Sequence, residues 1–220
     1  MLNYGSGVLR AIAALLLVVF TVPLASAAAQ DGTDAAGPAI RILGLGDSLM
    51  AGYGLPPGEG FVEQLEAALA ARGHDVAVIN AGVSGDTTAG GRARLAWSLA
   101  DPVTHAIVEL GANDALRGLE PAETEANLRA ILTTLKAEGI PVLLCGMLAP
   151  RNLGPDYAAE FDALYPRLAA EFGVVFYPFF LEGVAREAAL NQPDGIHPNR
   201  AGVERIVDRI LPFVEQVIAR

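Results

Sequence analysis

The sequence has very little of what metal sites and disulfides are made from: one cysteine and three histidines in 220 residues. Cys145 cannot form a disulfide within the chain. It stands in the apolar run 142–146, which favours a packed, inert thiol over a reactive one. The histidines are scattered and no Cys-x-x-Cys pair occurs, so no metal-ligand spacing is present. We therefore expect no metal site.

Several familiar motifs are also missing. No G-x-G-x-x-G or P-loop follows a predicted strand, which argues against a nucleotide cofactor, and no G-x-S-x-G nucleophile elbow occurs. Basic side chains are scarce, because 15 Lys and Arg stand against 25 Asp and Glu, a net charge of −10. This balance argues against nucleic acid or an anionic membrane surface as a partner. We expect no cofactor, and a small molecule as the partner.

The one long apolar run lies at the N-terminus. Arg10 precedes the apolar stretch 11–24 and the small residues of 25–29, the order typical of a secretory signal peptide. The run is shorter than the roughly 20 residues of a membrane-spanning helix, although retention as an uncleaved anchor stays open. We expect a signal peptide at 1–29, cleaved after Ala27 or Ala29, a linker at 30–39 and one domain at 40–220. The mature chain should be exported, periplasmic or secreted, monomeric and without stable membrane insertion.

Strand and helix patterns alternate through the rest of the chain, which predicts an α/β fold with a parallel sheet covered by helices on both faces. The first predicted strand begins at Ile40. The other four predicted strands cover 76–79, 106–110, 142–145 and 174–177. The predicted helices cover 61–72, 91–99, 121–138 and 157–172, with a kink or break at Pro166, and a last helix capped by Asn199 that ends near Ala219.

The stretch Ile40–Leu49 is an apolar strand that ends in Gly46-Asp47-Ser48. Because ligands bind at the carboxyl ends of parallel strands, Ser48 is a candidate nucleophile. The alternative is that Asp47-Ser48 merely caps a following helix. Two other polar loops follow strands and should meet it at the same edge of the sheet: Ser84–Thr87 and Gly111–Asp114.

A fourth polar cluster, Gln192–Asn199, contains Asp194 and His197 three residues apart. An Asp carboxylate that accepts the Nδ1 proton of an imidazole leaves Nε2 free to act as a general base, so these two side chains and Ser48 form a candidate triad. Acyl transfer also needs donors for the developing oxyanion. The backbone N–H groups of Ser48 and Gly85 and the side-chain amide of Asn113 are candidates.

These four segments resemble the four sequence blocks of the GDSL/SGNH hydrolases, and most closely the exported bacterial acyl-thioesterases, lysophospholipases and arylesterases. The resemblance runs from about Ile40 to the C-terminus. It implies a three-layer α/β/α sandwich with a flavodoxin-like, five-stranded parallel sheet. It also implies that Ser48 is the nucleophile, that Asp194 and His197 complete the triad, and that Gly85 and Asn113 are oxyanion donors. The third block has Gly111-Ala112 where relatives often carry two glycines.

We therefore expect a serine esterase or thioesterase that acts on acyl esters or thioesters through an acyl-enzyme. The loops 50–60, 115–119 and 147–157 should form the acyl pocket, with Leu116, Leu119, Met147, Leu148 and Leu153 as its apolar wall. Two alternatives stay open: a carbohydrate deacetylase or lysophospholipase with the same machinery, and a catalytically idle lipid- or carbohydrate-binding protein. Acyl chain length and leaving group are not decided by these motifs.

Overall fold

A computed structural model describes residues 39–220 of the chain. The predicted signal peptide at 1–29 and the predicted linker at 30–39, apart from its last residue, lie outside the described residues. Within residues 39–220, no helix is both long enough and apolar enough to cross a membrane.

The predicted parallel sheet is confirmed. Five parallel strands pair in the order β2-β1-β3-β4-β5. They are β1 (Ile40–Gly46), β2 (Val76–Gly82), β3 (His105–Glu109), β4 (Val142–Cys145) and β5 (Val175–Tyr177). The central strands β1, β3 and β4 are almost entirely buried, as expected for strands covered on both faces. Cys145, at the end of β4, is fully buried.

Seven α-helices lie in the described part of the chain. They are α1 (Ser48–Ala51), α2 (Phe61–Ala71), α3 (Thr88–Ser98), α4 (Ala112–Leu116), α5 (Pro121–Ala137), α6 (Pro155–Phe172) and α7 (Arg200–Ile218). Helices α2 and α7 pack together, while α5 packs against both α3 and α6. Right-handed crossovers between parallel strands place these two groups on opposite faces of the sheet. The three-layer sandwich follows.

Several boundaries differ from the predicted ones. Helix α3 begins at Thr88 rather than at Gly91, because the Thr87 side chain caps it by accepting a hydrogen bond from the N–H of Gly90. Strand β2 continues past Ile79 to Gly82. We predicted a kink or a break at Pro166; α6 continues through this residue, so the break is wrong. Packing of its buried face against the sheet and α5 offsets the hydrogen bond that the proline removes.

The strand order sets the position of the functional site. The chain leaves β1 toward β2 on one side and returns to β3 on the other, so β1 and β3 flank the point where the direction of winding reverses. In doubly wound sheets, ligands bind at the carboxyl ends of such strands. The turn that carries Ser48 follows β1, and the loop that carries Asn113 follows β3.

Candidate active site

The turn after β1 shows that the two interpretations of Asp47-Ser48 are compatible. Asp47 caps α1 by accepting a hydrogen bond from the N–H of Leu49 at 3.0 Å, and Ser48 is the first residue of that helix. The turn requires glycine at position 46. A Cβ atom there would lie 2.5 Å from Oε2 of Glu109 and 2.6 Å from Cβ of Met50. Close approach of three segments therefore fixes where the Ser48 side chain emerges.

Ser48, His197 and Asp194 are joined by two hydrogen bonds. The distance from Ser48 Oγ to His197 Nε2 is 3.0 Å, and the distance from His197 Nδ1 to Asp194 Oδ2 is 2.7 Å. An ionised carboxylate only accepts hydrogen bonds, so Nδ1 carries the proton and Nε2 accepts from the hydroxyl. The three sequence-predicted side chains thus meet in the order that proton transfer from Ser48 needs.

Asp194 is held in its ionised form by its local contacts. The hydrogen bond from the His197 side chain, together with the backbone N–H groups of His197 and Ile196, lowers the pKa of Asp194 to about 2. Both N–H groups donate to Oδ1 at 3.0 Å, which leaves Oδ2 for the imidazole. Gly195, with a φ of 75°, makes this tight turn possible.

The Tyr53 ring contacts the His197 ring. Its centroid lies 4.6 Å from that of the His197 ring, with a tilt of 40° between the planes. The backbone carbonyl of Tyr53 accepts a hydrogen bond from the Gln192 side chain at 2.7 Å. The loop after α1 is therefore tied to the loop that carries His197, and an aromatic ring lies beside the imidazole, where it could stabilise a positive charge.

Asn113 and Gly85 lie in the same cavity as Ser48. The Asn113 side-chain amide donates to Oδ2 of Asp47 at 3.0 Å, so the residue that caps α1 also orients this amide. Gly85 has a φ of 81°, and a Cβ atom there would meet only Arg117 at 3.8 Å, so conformation rather than space calls for glycine. Arg117 donates to the Gly85 carbonyl oxygen at 2.6 Å. All three predicted oxyanion donors are brought to one edge.

Two buried carboxyl groups lie beneath this site. Burial raises the pKa of Asp47 to about 6, and hydrogen bonds from Leu49 and Asn113 oppose that rise. Burial, with the Asp47 charge nearby, also raises the pKa of Glu109 well above its usual range. Glu109 accepts the N–H of Asp47 at 3.3 Å through one oxygen, and its other oxygen has no partner within residues 39–220. Glu109 therefore helps to hold the backbone of the turn that carries Ser48.

Asp86 and Asp114 organise the loops that neighbour the site. Asp86 forms an ion pair with Arg94 at 2.7 Å, and Arg94 also donates to the carbonyl oxygens of Gly46 and Ala81. Asp114 is buried and accepts from the backbone N–H and the hydroxyl of Thr88, at the start of α3. These contacts hold the ends of β1 and β2 and the helix starts in register around the site.

The cavity above Ser48 has a volume of about 470 Å³, within the range of small-molecule sites. Leu116, Met147 and Leu148 line it, as predicted. The predicted Leu119 and Leu153 do not line it. Leu119 is tied by its backbone to Asp114 and the Tyr157 hydroxyl, and Leu153 lies in an exposed 3₁₀ turn that leads into α6.

The segment between β5 and α7 supplies part of the cavity that the sequence motifs do not reveal. It contributes the following lining residues: Phe179, Leu181, Ala185, Arg186, Asn191, Gly195 and Ile196. This segment has neither helical nor strand periodicity over most of its length. Its only sequence signal is the presence of apolar side chains shortly before the Asp194–His197 pair.

The remaining titratable candidates lie away from this cavity. His74 faces Glu215 at 3.4 Å, and His105 contacts the Thr104 hydroxyl at 2.8 Å. Burial raises the pKa of the Cys145 thiol well above its usual range, which keeps it protonated. Across residues 39–220, no cluster of three His, Cys, Asp or Glu side chains has metal-binding geometry.

The chain is similar to several known proteins. A model of the GDSL-like lipase/acylhydrolase family matches residues 45–205. Esterase TesA of Pseudomonas aeruginosa is 42% identical over 178 residues, which cover 80% of this chain and 89% of that protein. Thioesterase 1/protease 1/lysophospholipase L1 of Escherichia coli K12 is 41% identical over 174 residues, 79% of this chain and 82% of that protein. The crystal structure of AlinE4, an SGNH-hydrolase family esterase, matches with a TM-score of 0.70 and 49% identity, over 82% of this chain and 97% of that one.

Proposed function

Because the chain belongs to the GDSL-like lipase/acylhydrolase family, we propose that Ser48, His197 and Asp194 are its nucleophile, general base and orienting carboxylate. The chain is a carboxylic ester hydrolase. The observation that carries the residue assignment is the pair of hydrogen bonds, 3.0 and 2.7 Å long, that link Ser48 Oγ through the imidazole to Asp194.

The reaction follows from the direction of those bonds. Ser48 Oγ attacks the acyl carbonyl carbon while its proton moves to His197 Nε2, and Asp194 stabilises the imidazolium that results. The oxyanion receives hydrogen bonds from the Ser48 and Gly85 N–H groups and from the Asn113 amide. The intermediate collapses, and the leaving alcohol or thiol takes the proton from Nε2. Water, deprotonated by the same nitrogen, then attacks the acyl-enzyme. The bond between the acyl carbon and Ser48 Oγ breaks, Nε2 returns the proton to Oγ, and the carboxylic acid leaves.

We propose that the acyl chain occupies the apolar part of the cavity. Leu116, Leu148 and Phe179 line it, and both leucines keep a large exposed fraction, 57% for Leu116 and 42% for Leu148. Apolar side chains that face open space at a catalytic centre suit an aliphatic chain better than a sugar ring. Acyl esters are therefore the substrate class, and thioesters and lysophospholipids are proposed members of it through the relatives' names.

The division of the chain and its location are also proposals. We propose that residues 1–29 direct export, that residues 40–220 are the hydrolase domain, and that this domain acts as a monomer in the periplasm or outside the cell. The order of charged, apolar and small residues in 1–29 supports the first part.

A direct test uses p-nitrophenyl acyl esters and a fluorophosphonate probe. The wild-type chain should hydrolyse the esters and be labelled at Ser48, whereas Ser48→Ala should do neither. Ser98→Ala is the matched control, because that hydroxyl only donates to the Arg94 carbonyl oxygen on α3. Equal rates for wild type and Ser48→Ala would sink the mechanism. Absence of both hydrolysis and labelling in the wild type would instead support an idle binding protein.

A further inference from the structure

Arg186 is unusual in its backbone conformation. Among residues 39–220, it is the only residue other than glycine with a positive φ, at 67°. It ends a series of turns after β5, just before the 3₁₀ turn Ala188–Leu190. L side chains rarely adopt this left-handed conformation, and where they do the site is often a functional one. The conformation alone does not say what the side chain does.

The surroundings of the Arg186 side chain point to a ligand. It lines the cavity above Ser48 and is the only Lys or Arg among the residues that do so. The side chain is exposed and has no hydrogen bond or ion pair with any residue in 39–220. Other arginines near the site are occupied, since Arg94 pairs with Asp86 and Arg151 pairs with Asp162 at 2.8 Å. One guanidinium is therefore left available at the mouth of the site.

The position of Arg186 indicates which part of a substrate it would meet. Arg186 borders two side grooves: one leads along Gln192, in the loop that carries His197, and the other leads along Leu148 and Phe179. In the proposed mechanism, His197 returns its proton to the departing alcohol or thiol, so the leaving group passes along this loop. The guanidinium is therefore placed to meet a group that departs along this loop, and a substrate with its anion on the acyl chain tests the other groove.

We propose that Arg186 forms a subsite for an anionic leaving group, one that carries a phosphate or carboxylate on the alcohol or thiol portion of the substrate. The inference rests on the proposed function and narrows its substrate class. A guanidinium presents its donors in a fork that matches two oxygens of either anion. The chain as a whole carries a net charge of −10, so such a substrate gains attraction at this point against a repulsive background.

The decisive comparison uses two substrates that differ only in the anion. These are 1-octanoylglycerol and 1-octanoylglycerol 3-phosphate, both assayed below their critical micelle concentrations at low salt. Arg186→Gln should lower kcat/KM for the phosphate substrate about tenfold more than for the neutral substrate, mainly through KM. Arg205→Gln is the matched control, because it removes the same charge from an exposed position on α7 outside the cavity. The wild-type preference should also weaken as salt is raised.

Two further variants separate charge from folding. Arg186→Lys should retain part of the preference, because it keeps the charge but loses the fork. Arg186→Gly should lose the preference while keeping or raising the Tm, because glycine adopts a φ of 67° without strain. An equal effect of Arg186→Gln on both substrates, or the same loss in Arg205→Gln, would overturn the proposal.

A last comparison places the anion on the acyl chain of the substrate instead of on the leaving group. Mono-p-nitrophenyl glutarate carries its carboxylate on the acyl chain, and p-nitrophenyl pentanoate is its neutral partner. Arg186→Gln should leave the ratio between these two unchanged, and a selective loss on the glutarate would refute the leaving-group assignment. Failure of the subsite is distinct from failure of the proposed function, since in the first case the wild type still hydrolyses neutral esters and Ser48→Ala still does not.

Discussion

Replacing Asp47 by asparagine should separate activity from stability. The Asp47 side chain is 1% exposed, its two oxygens accept from Leu49 N–H and from the Asn113 amide at 3.0 Å each, and its own N–H donates to Glu109. Asparagine has the same shape and keeps one acceptor for Leu49. Its amide nitrogen would then face the amide nitrogen of Asn113, donor against donor. The substitution therefore removes the hydrogen bond that orients the Asn113 amide, a proposed oxyanion donor, without opening a cavity.

The decrease in kcat should be no larger than the decrease caused by removing the Asn113 amide altogether. Removing an oxyanion donor lowers kcat by about 10²- to 10³-fold. Asp47→Asn leaves Asn113 in place but unrestrained, so we expect a decrease in kcat of about 10- to 100-fold with KM little changed. In an Asn113→Ala background the same change should cost less than about threefold, because its target is already gone.

The effect on stability has the opposite tendency. In the folded state the pKa of Asp47 is raised from 3.8 to about 6, so the native protein binds this proton more tightly than the unfolded chain. The tighter binding of this proton stabilises the folded state fully below about pH 4, and this stabilisation is lost as the pH rises through 6. The free energy of unfolding therefore falls by about 3 kcal/mol over that range. Asparagine does not ionise and avoids that cost, while the mismatch with Asn113 costs about 1–3 kcal/mol. The free energy of unfolding at pH 8 should change by no more than about 2 kcal/mol.

The assay combines initial rates on a p-nitrophenyl ester at pH 8 with thermal unfolding from pH 4 to pH 8. Wild type should lose stability over this range, and Asp47→Asn should lose less. An unchanged kcat would refute this role of the hydrogen bond between Asp47 and Asn113. So would a fall in kcat accompanied by a collapse of the Tm, because the activity loss would then reflect unfolding. Additive effects of Asp47→Asn and Asn113→Ala would likewise show that the two side chains act independently.

Three other predictions concern the same site. Tyr53→Leu should lower kcat about threefold to tenfold on a p-nitrophenyl ester while Tyr53→Phe stays near wild type, because the ring and not the hydroxyl contacts His197; equal losses would contradict this. Leu148→Ala should lower kcat/KM for octanoyl esters several-fold more than for acetyl esters, whereas Leu153→Ala, outside the cavity, should leave that ratio unchanged. Asp194→Asn should lower kcat by about 10²- to 10⁴-fold at every pH from 6 to 9, because the pKa of Asp194 is held at about 2 and its carboxylate stays ionised throughout; a loss confined to one end of that range would argue against its role.

The sheet and the candidate triad could be predicted because each has a strong local signal. Strand β1 is a short apolar run that ends at Gly46, and the last helix carries Val203, Ile206 and Ile210 at helical spacing, all of them buried. The site residues lie in short polar loops after predicted strands. Since parallel strands share one polarity, their order along the chain is enough to bring those loops to one edge.

The remainder depends on contacts that leave little trace in the sequence. Leu116 and Leu148 line the cavity, whereas Leu119 and Leu153 do not. All four leucines lie in the predicted pocket loops, and only the path of the backbone distinguishes them. Nothing about an arginine at position 186 predicts its positive φ. Glu109 lies at the end of an apolar strand, and nothing in its local sequence indicates that its partner is a backbone N–H 62 residues away. Such contacts are set by tertiary packing rather than by local propensity.

The hydrogen bond between Ser48 and His197 joins residues 149 positions apart, one after the first strand and the other just before the last helix. On the proposed mechanism, the base becomes available only after nearly the whole domain has been synthesised and the chain has closed a loop of that length. A nascent or unfolded polypeptide presents the serine without that base, so we expect it to have no esterase activity. Recovery of ester hydrolysis during refolding consequently reports completion of the fold, with no added label.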